Sequence, residues 1–162
     1  PGVPEALIMA MNEARQTSRI AEPLINGLAQ TGARQAIHNP ATGALIGHVV
    51  EADEAMIAAA FAAARAAQDD WSLAGGAFRA ARLERAADLL EADEARFLAL
   101  ATDEAGKTLA DALAELREAV DFLRYYAAEA RAHFESPRAL PGPTGERNEL
   151  ILEGKGVFIC IS

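Results

Sequence analysis

The sequence predicts an α/β fold dominated by helices, with a β-hairpin near the N-terminus and one buried strand at the C-terminal end. Three observations lead there. Leu109, Leu113, Leu116, Val120, Leu123 and Ala127 recur at alternating steps of four and three, one face of a long helix. Two β-like runs, Ala36-Ile37-His38 and Leu45 to Val50, flank Asn39-Pro40-Ala41-Thr42-Gly43. The continuous apolar run Val157-Phe158-Ile159-Cys160-Ile161 reads as a strand covered on both faces, as in a parallel sheet.

Residues 1–34 form a lead-in whose structure the sequence does not define. Leu7, Ile8 and Met11 hint at a helix, and Pro23 and Gly27 interrupt any stripe that follows. From residue 35 the signals sharpen. Pro40 presets φ for the second place of a turn and Gly43 tolerates left-handed geometry, so the hairpin is predicted there. A helix over 53–68 is capped by Asp53, with Ile57, Phe61 and Ala64 on one face; Asp69-Asp70-Trp71-Ser72 and Gly75-Gly76 are expected to break it. A second helix over 78–91 carries Leu83, Ala86, Ala87 and Leu90 on one stripe. A third over 93–105 is expected to bury Phe97, Leu100 and Ala101 and to stop at Gly106. Thr108 and Asp111 open the fourth as an acidic variant of the capping box, and it is predicted to reach His133. Three prolines and two glycines make 136–148 a loop, and 149–153 alternates like a strand.

Composition excludes several roles. Alanine inflates a hydrophobic fraction of 51%, while aromatics are 6%, so the core is expected to be thin and built from small side chains. A net charge of −9 offers no basic face for nucleic acid or an anionic membrane. No run approaches the roughly 20 apolar residues of a membrane span. Cys160 is the one cysteine, which excludes an internal disulfide and makes the cytoplasm the expected compartment. No N-terminal signal pattern is present.

Few residues carry chemistry. Cys160 lacks an adjacent base or cation and reads as core packing. His38, His48 and His133 have no metal-ligand spacing, so no metal site is expected. Gly154-Lys155-Gly156 leads into a strand and is a turn, where a phosphate loop would lead into a helix. Glu118 stands out. At about 100° per residue it falls opposite the Leu109–Ala127 stripe, beside Phe122 and Tyr125, where an acid could anchor a cationic group. The plainer reading is an exposed acid near two half-buried aromatics.

The order of five motifs carries a resemblance. Asn39-Pro40-Ala41-Thr42-Gly43, Trp71-Ser72, Arg82-Leu83-Glu84-Arg85-Ala86-Ala87-Asp88-Leu89-Leu90, Glu104-Ala105-Gly106-Lys107 and Gly156 to Ser162 together resemble the N-terminal part of an aldehyde dehydrogenase. The stretches 104–109, 118–127 and 140–148 are most similar to the proline utilization A family. Its members are bifunctional proline-catabolic enzymes whose second half is an L-glutamate γ-semialdehyde (1-pyrroline-5-carboxylate) dehydrogenase.

The resemblance implies an aldehyde-dehydrogenase-like fold. Residues 35–162 would be an incomplete N-terminal part of the NAD-binding region, ending in the first strand of the nucleotide-binding sheet. It implies oxidation of the semialdehyde to L-glutamate with NAD as cofactor, through a cysteine thiolate, an oxyanion-binding asparagine and a glutamate base. None of these catalytic residues matches a position in this sequence, and Cys160 does not align with the nucleophile. Ile161 and Ser162 align with the strand end whose backbone borders the cofactor. Glu118 aligns with an acid that contacts the substrate's amino group. FAD is expected only if the parent protein also carries a proline dehydrogenase domain, and the parent is expected to be a homo-oligomer. A buried parallel strand needs neighbours that these residues do not supply, so a piece of a larger enzyme, inactive alone, is expected. The alternative is a free-standing Ala-rich helical module for protein interaction.

Overall fold

The computed structural model describes residues 3–17 and 19–161. The chain runs α1 Glu5–Arg15, β1 Arg19–Ala21, β2 Leu24–Ile25, β3 Leu28–Ala29, β4 Arg34–His38, β5 Leu45–Val50, α2 Glu54–Leu73, α3 Gly75–Ala92, α4 Glu94–Glu104, α5 Leu109–Phe134, β6 Arg138–Leu140 and β7 Asn148–Leu150.

The hairpin around Asn39 forms as its turn residues require. The Asn39 side-chain oxygen accepts from the N–H groups of Ala41 (2.9 Å) and Thr42 (3.1 Å). Gly43 takes φ 71°. The turn sets β4 antiparallel to β5, and β5 also receives β1 in parallel on its other side, giving the order β1-β5-β4. Gly47 lies opposite Arg19, and a Cβ there would sit 2.6 Å from the Arg19 carbonyl oxygen.

The segment before residue 35 is more ordered than its sequence suggested. α1 packs on α4 and inserts Met11 among Leu98, Ala99, Ala112 and Leu116. Arg15 fastens the contact from outside, its Nε donating to both oxygens of Asp103 (3.1 and 3.2 Å) and its Nη2 to Thr102 Oγ1 (3.1 Å). β2 and β3 form a second hairpin across Asn26 and Gly27, both at positive φ (51° and 74°), the mark of a type I′ turn. Because α1 covers one side of α4 and α5 the other, the buried residues of α4 are Leu98 and Ala99. The expected Phe97, Leu100 and Ala101 are half-buried beside them.

α2 begins at the expected cap, where Asp53 Oδ1 accepts from Met56 N at 2.8 Å. It does not break at Asp69 but continues to Leu73, because Arg79 Nη1 reaches the terminal carbonyls of Trp71 (3.4 Å) and Ser72 (3.3 Å). No residue of α2 is buried; Ile57 and Phe61 share a face but stay 49% and 41% exposed. α3 starts at Gly75, earlier than expected, and the Glu135 carboxylate accepts from Ala77 N at 2.6 Å, capping it from the far end of α5. α4 ends at Glu104, Gly106 just beyond it takes φ 65°, and the Thr108 hydroxyl accepts from Asp111 N (3.2 Å) to open α5. α5 is 26 residues, about 39 Å at the standard rise. Leu116, Val120 and Ala127 of the predicted stripe are buried, and Leu109, Leu113 and Leu123 half-buried. No helix among the described residues is long and apolar enough to cross a membrane.

α3 and α5 make the largest contact between elements, through Ala80 and Ala87 on one side and Val120 and Ala127 on the other. Gly76 marks the closest approach: a Cβ there would lie 2.2 Å from the Ala130 carbonyl oxygen. Ion pairs rim the contact. Arg124 pairs with Glu91 (3.2 and 2.5 Å) and Asp88, and Arg131 with Glu84 (3.2 and 2.7 Å).

One sequence expectation is corrected at the C-terminal side: the loop expected over 136–148 holds β6, which pairs with β7 and is closed by Gly145 at φ 91°. The run 157–161, expected as the first strand of the nucleotide-binding sheet with neighbours that these residues do not supply, makes no ladder with any described strand. A strand exists only through its neighbour's hydrogen bonds, so hydropathy alone does not make one. Without those neighbours Phe158 (74%), Ile159 (69%), Cys160 and Ile161 (93%) are exposed in this chain.

Gly76→Ala should destabilise the chain by about 1–3 kcal/mol despite alanine's better helix propensity, since backbone atoms block the new methyl. Urea unfolding would show a lower midpoint at unchanged slope, and an unaltered midpoint would refute the close approach. The second prediction concerns acid. Arg131 beside Glu84, and Arg124 beside Glu91, hold both carboxyls below the ordinary 4.5. Their contribution is therefore complete above that value and is lost as pH falls through the lowered folded values. Thermal midpoints should drop between about pH 5 and pH 3, and drop less in the Glu84→Gln/Glu91→Gln double variant. Equal drops would remove these pairs from the account.

Candidate functional site

The inward stripe of α5 fixes which residues face away. Glu118, Phe122, Tyr125 and Tyr126 are all exposed on the helix, and the three rings remain 52–56% accessible. Phe122 stacks on Tyr126 (centroids 6.1 Å apart, planes at 23°), and Tyr125 meets Tyr126 edge-on at 5.1 Å. Spacing four residues apart on a helix produces the first contact.

Glu118 sits where two grooves meet. One, of about 470 Å³, runs between α3, α4 and α5, and its lining includes Leu90, Phe97, Ala101, Glu115, Glu118 and Phe122. The other, of about 410 Å³, is polar, with Lys107, Asp111, Glu115 and Glu118. In that second groove Lys107 ion-pairs with Glu115, and Asp111 accepts from the Thr108 hydroxyl at 2.7 Å. Glu118 has no hydrogen-bond or ion-pair partner among the described residues. The arrangement thus leaves the Glu118 carboxylate without a cation, beside an apolar wall and an aromatic ring. Such a site can hold a cationic head with an aliphatic body.

Sequence reasoning placed Glu118 and Phe122 together, as the structure does. Tyr125 does not line either groove. The pairing of Glu115 with Lys107, eight residues apart across the start of α5, was missed; it depends on the turn at Gly106, not on helical spacing.

The other expected residues lie apart from this site. Ile161 is exposed on the segment after β7, and Ser162 falls outside the described residues. Cys160 forms no hydrogen bond among the described residues. His38 and His48 stand on β4 and β5, and exposed His133 pairs with Glu129 at 3.2 Å. Among the described residues, no group of three His, Cys, Asp or Glu side chains is placed to hold a metal ion. A cleft of about 740 Å³ opens between α1, β1, β5 and α4. Its cation Arg19 pairs with Asp103 at 3.4 Å, which Arg15 also holds.

Comparison with known proteins places these features in context. The family model described as the aldehyde dehydrogenase family matches residues 28–162. The bifunctional protein PutA of Klebsiella aerogenes is 38% identical over 125 residues, taking in 76% of this chain and 10% of that protein. The crystal structure of proline utilization A from Bdellovibrio bacteriovorus shares the fold with a TM-score of 0.85 at 28% identity, over 93% of this chain and 16% of that one. A mutant of Thermus thermophilus 1-pyrroline-5-carboxylate dehydrogenase gives a TM-score of 0.76 at 30% identity, over 85% of this chain and 28% of that one. The chain therefore spans about a tenth of the bifunctional relative's length.

Proposed function

From the premise that this chain belongs to the aldehyde dehydrogenase family, we propose that it is the helical front of an NAD-dependent enzyme oxidising L-glutamate γ-semialdehyde to L-glutamate. The support is likeness to a bifunctional PutA and to a 1-pyrroline-5-carboxylate dehydrogenase, which together point to proline catabolism. Family membership over most of the sequence weighs against the free-standing interaction module.

In this reading the chain's own residues position and do not react. L-Glutamate γ-semialdehyde carries an α-ammonium, an α-carboxylate and a terminal aldehyde. The free carboxylate of Glu118 would take the ammonium, while the apolar groove wall beside Phe122 accepts the aliphatic stem. Attack on the aldehyde, stabilisation of its oxyanion and activation of water belong to groups carried elsewhere in the enzyme. NAD+, when bound, accepts the hydride. Ile161 offers it one backbone N–H and one carbonyl on an open segment, enough for a border but not a cradle. The assignment of Ile161 and Ser162 to the cofactor's edge stands as part of the proposal. Flavin enters only if the same polypeptide also carries a proline dehydrogenase unit.

The single observation behind placing the substrate's ammonium at Glu118 is that Glu118 is unpaired among the described residues while its neighbour Glu115 is neutralised by Lys107. In the complete enzyme, Glu118→Ala should raise the semialdehyde KM about ten-fold, the worth of one charged hydrogen bond, with the KM for NAD+ unchanged. A semialdehyde KM equal to wild type would return Glu118 to the role of a solvent-exposed acid.

A further inference from the structure

The chain contains four asparagines: Asn12, Asn26, Asn39 and Asn148. Their surroundings differ in ways that bear on one reaction. Asn26 is followed by glycine at the tip of the β2–β3 hairpin; both residues are exposed, and a Cβ on Gly27 would meet nothing within 4 Å. The Asn26 side chain has no hydrogen-bond partner among the described residues. Asn39 is followed by proline, which has no N–H, and its amide oxygen is occupied by two turn N–H groups. Asn12 and Asn148 precede glutamates, whose side chains and charge hinder approach to the backbone nitrogen. Asn12 also accepts from Arg15 (2.9 Å), and Asn148 donates to the Pro141 carbonyl (3.2 Å).

We propose that Asn26 is a site of spontaneous deamidation, giving aspartate and isoaspartate at the hairpin tip. The Gly27 amide nitrogen, having lost its proton to solvent, attacks Asn26 Cγ. A new C–N bond closes a five-membered succinimide, and the side-chain nitrogen leaves as ammonia. Water then opens the ring at either carbonyl, so the net change is one water consumed and one ammonia released, with no oxidation or reduction. Attack requires the Asn26 backbone to leave its left-handed turn conformation, so opening of the hairpin gates the rate. That opening is easy. The hairpin has only two residue pairs, Leu24 with Ala29 and Ile25 with Leu28, and both leucines are exposed (70% and 69%). The isoaspartate product adds a backbone methylene and a negative charge, and a two-residue turn so lengthened cannot keep the Ile25–Leu28 pairing.

The test is to incubate the folded chain at mildly alkaline pH and physiological temperature and to map its peptides over time. The peptide containing Asn26 should gain the mass of an NH2-to-OH exchange several-fold faster than those containing Asn12 or Asn148. It should also become a substrate for isoaspartyl methyltransferase labelling. Asn39 should stay unchanged, and Asn26→Gln should abolish the labelling of the peptide that carries residue 26. Modification of Asn26 no faster than of Asn12 and Asn148, or labelling of that same peptide that persists in Asn26→Gln, would overturn the proposal.

Discussion

Everything in this fold depends on how closely α3 can approach α5. Ala80, Ala87 and Ala127 put methyl groups where larger side chains would hold the helices apart, and Gly76 removes even the methyl where the backbones come nearest. Close approach brings the Glu135 carboxylate to the open N–H of Ala77, so one contact both packs α3 and caps it. Guanidinium–carboxylate pairs then line the rim, where solvent limits their worth and their main effect is on alignment. The outward face of α5 and its unpaired glutamate are oriented by this contact.

The fold was legible in the sequence wherever a periodic pattern had a single partner. α5 is the clearest case: its stripe, its Thr108 cap and its extent agree with the structure to within a residue or so. The Asn39 hairpin agrees because side-chain–backbone bonds within five residues specify it. α4 has two partners, and its pattern alone does not rank them. Its buried face is turned from the expected one because α1 covers a second side, and α1 comes from a segment whose own pattern is faint. The β2–β3 hairpin was legible but misread, since Asn-Gly between apolar pairs is a strong turn signal and Gly27 was taken only as an interruption. The break expected at Asp69 failed for a non-local reason: Arg79, on the next helix, satisfies carbonyls that the α2 sequence leaves open.

The candidate site divides in the same way. Angular spacing was enough to set Glu118 opposite the core and near Phe122. It could not reveal that Glu115 is neutralised, because Lys107 lies before the helix and reaches it around a left-handed glycine. At 157–161 hydropathy marks a segment whose partners this chain does not supply. An apolar run states what a segment would bury, but the bonds that make it a strand belong to its neighbour.

Gly47 has a meaning beyond its own strand. β5 is the shared middle member of its sheet, and the passage of β1 beside it leaves less room at that position than any side chain occupies. The absence of a side chain there works as a keyhole for the leading segment. A bulkier amino acid at that place in this chain would force β1 into another register or away from this edge.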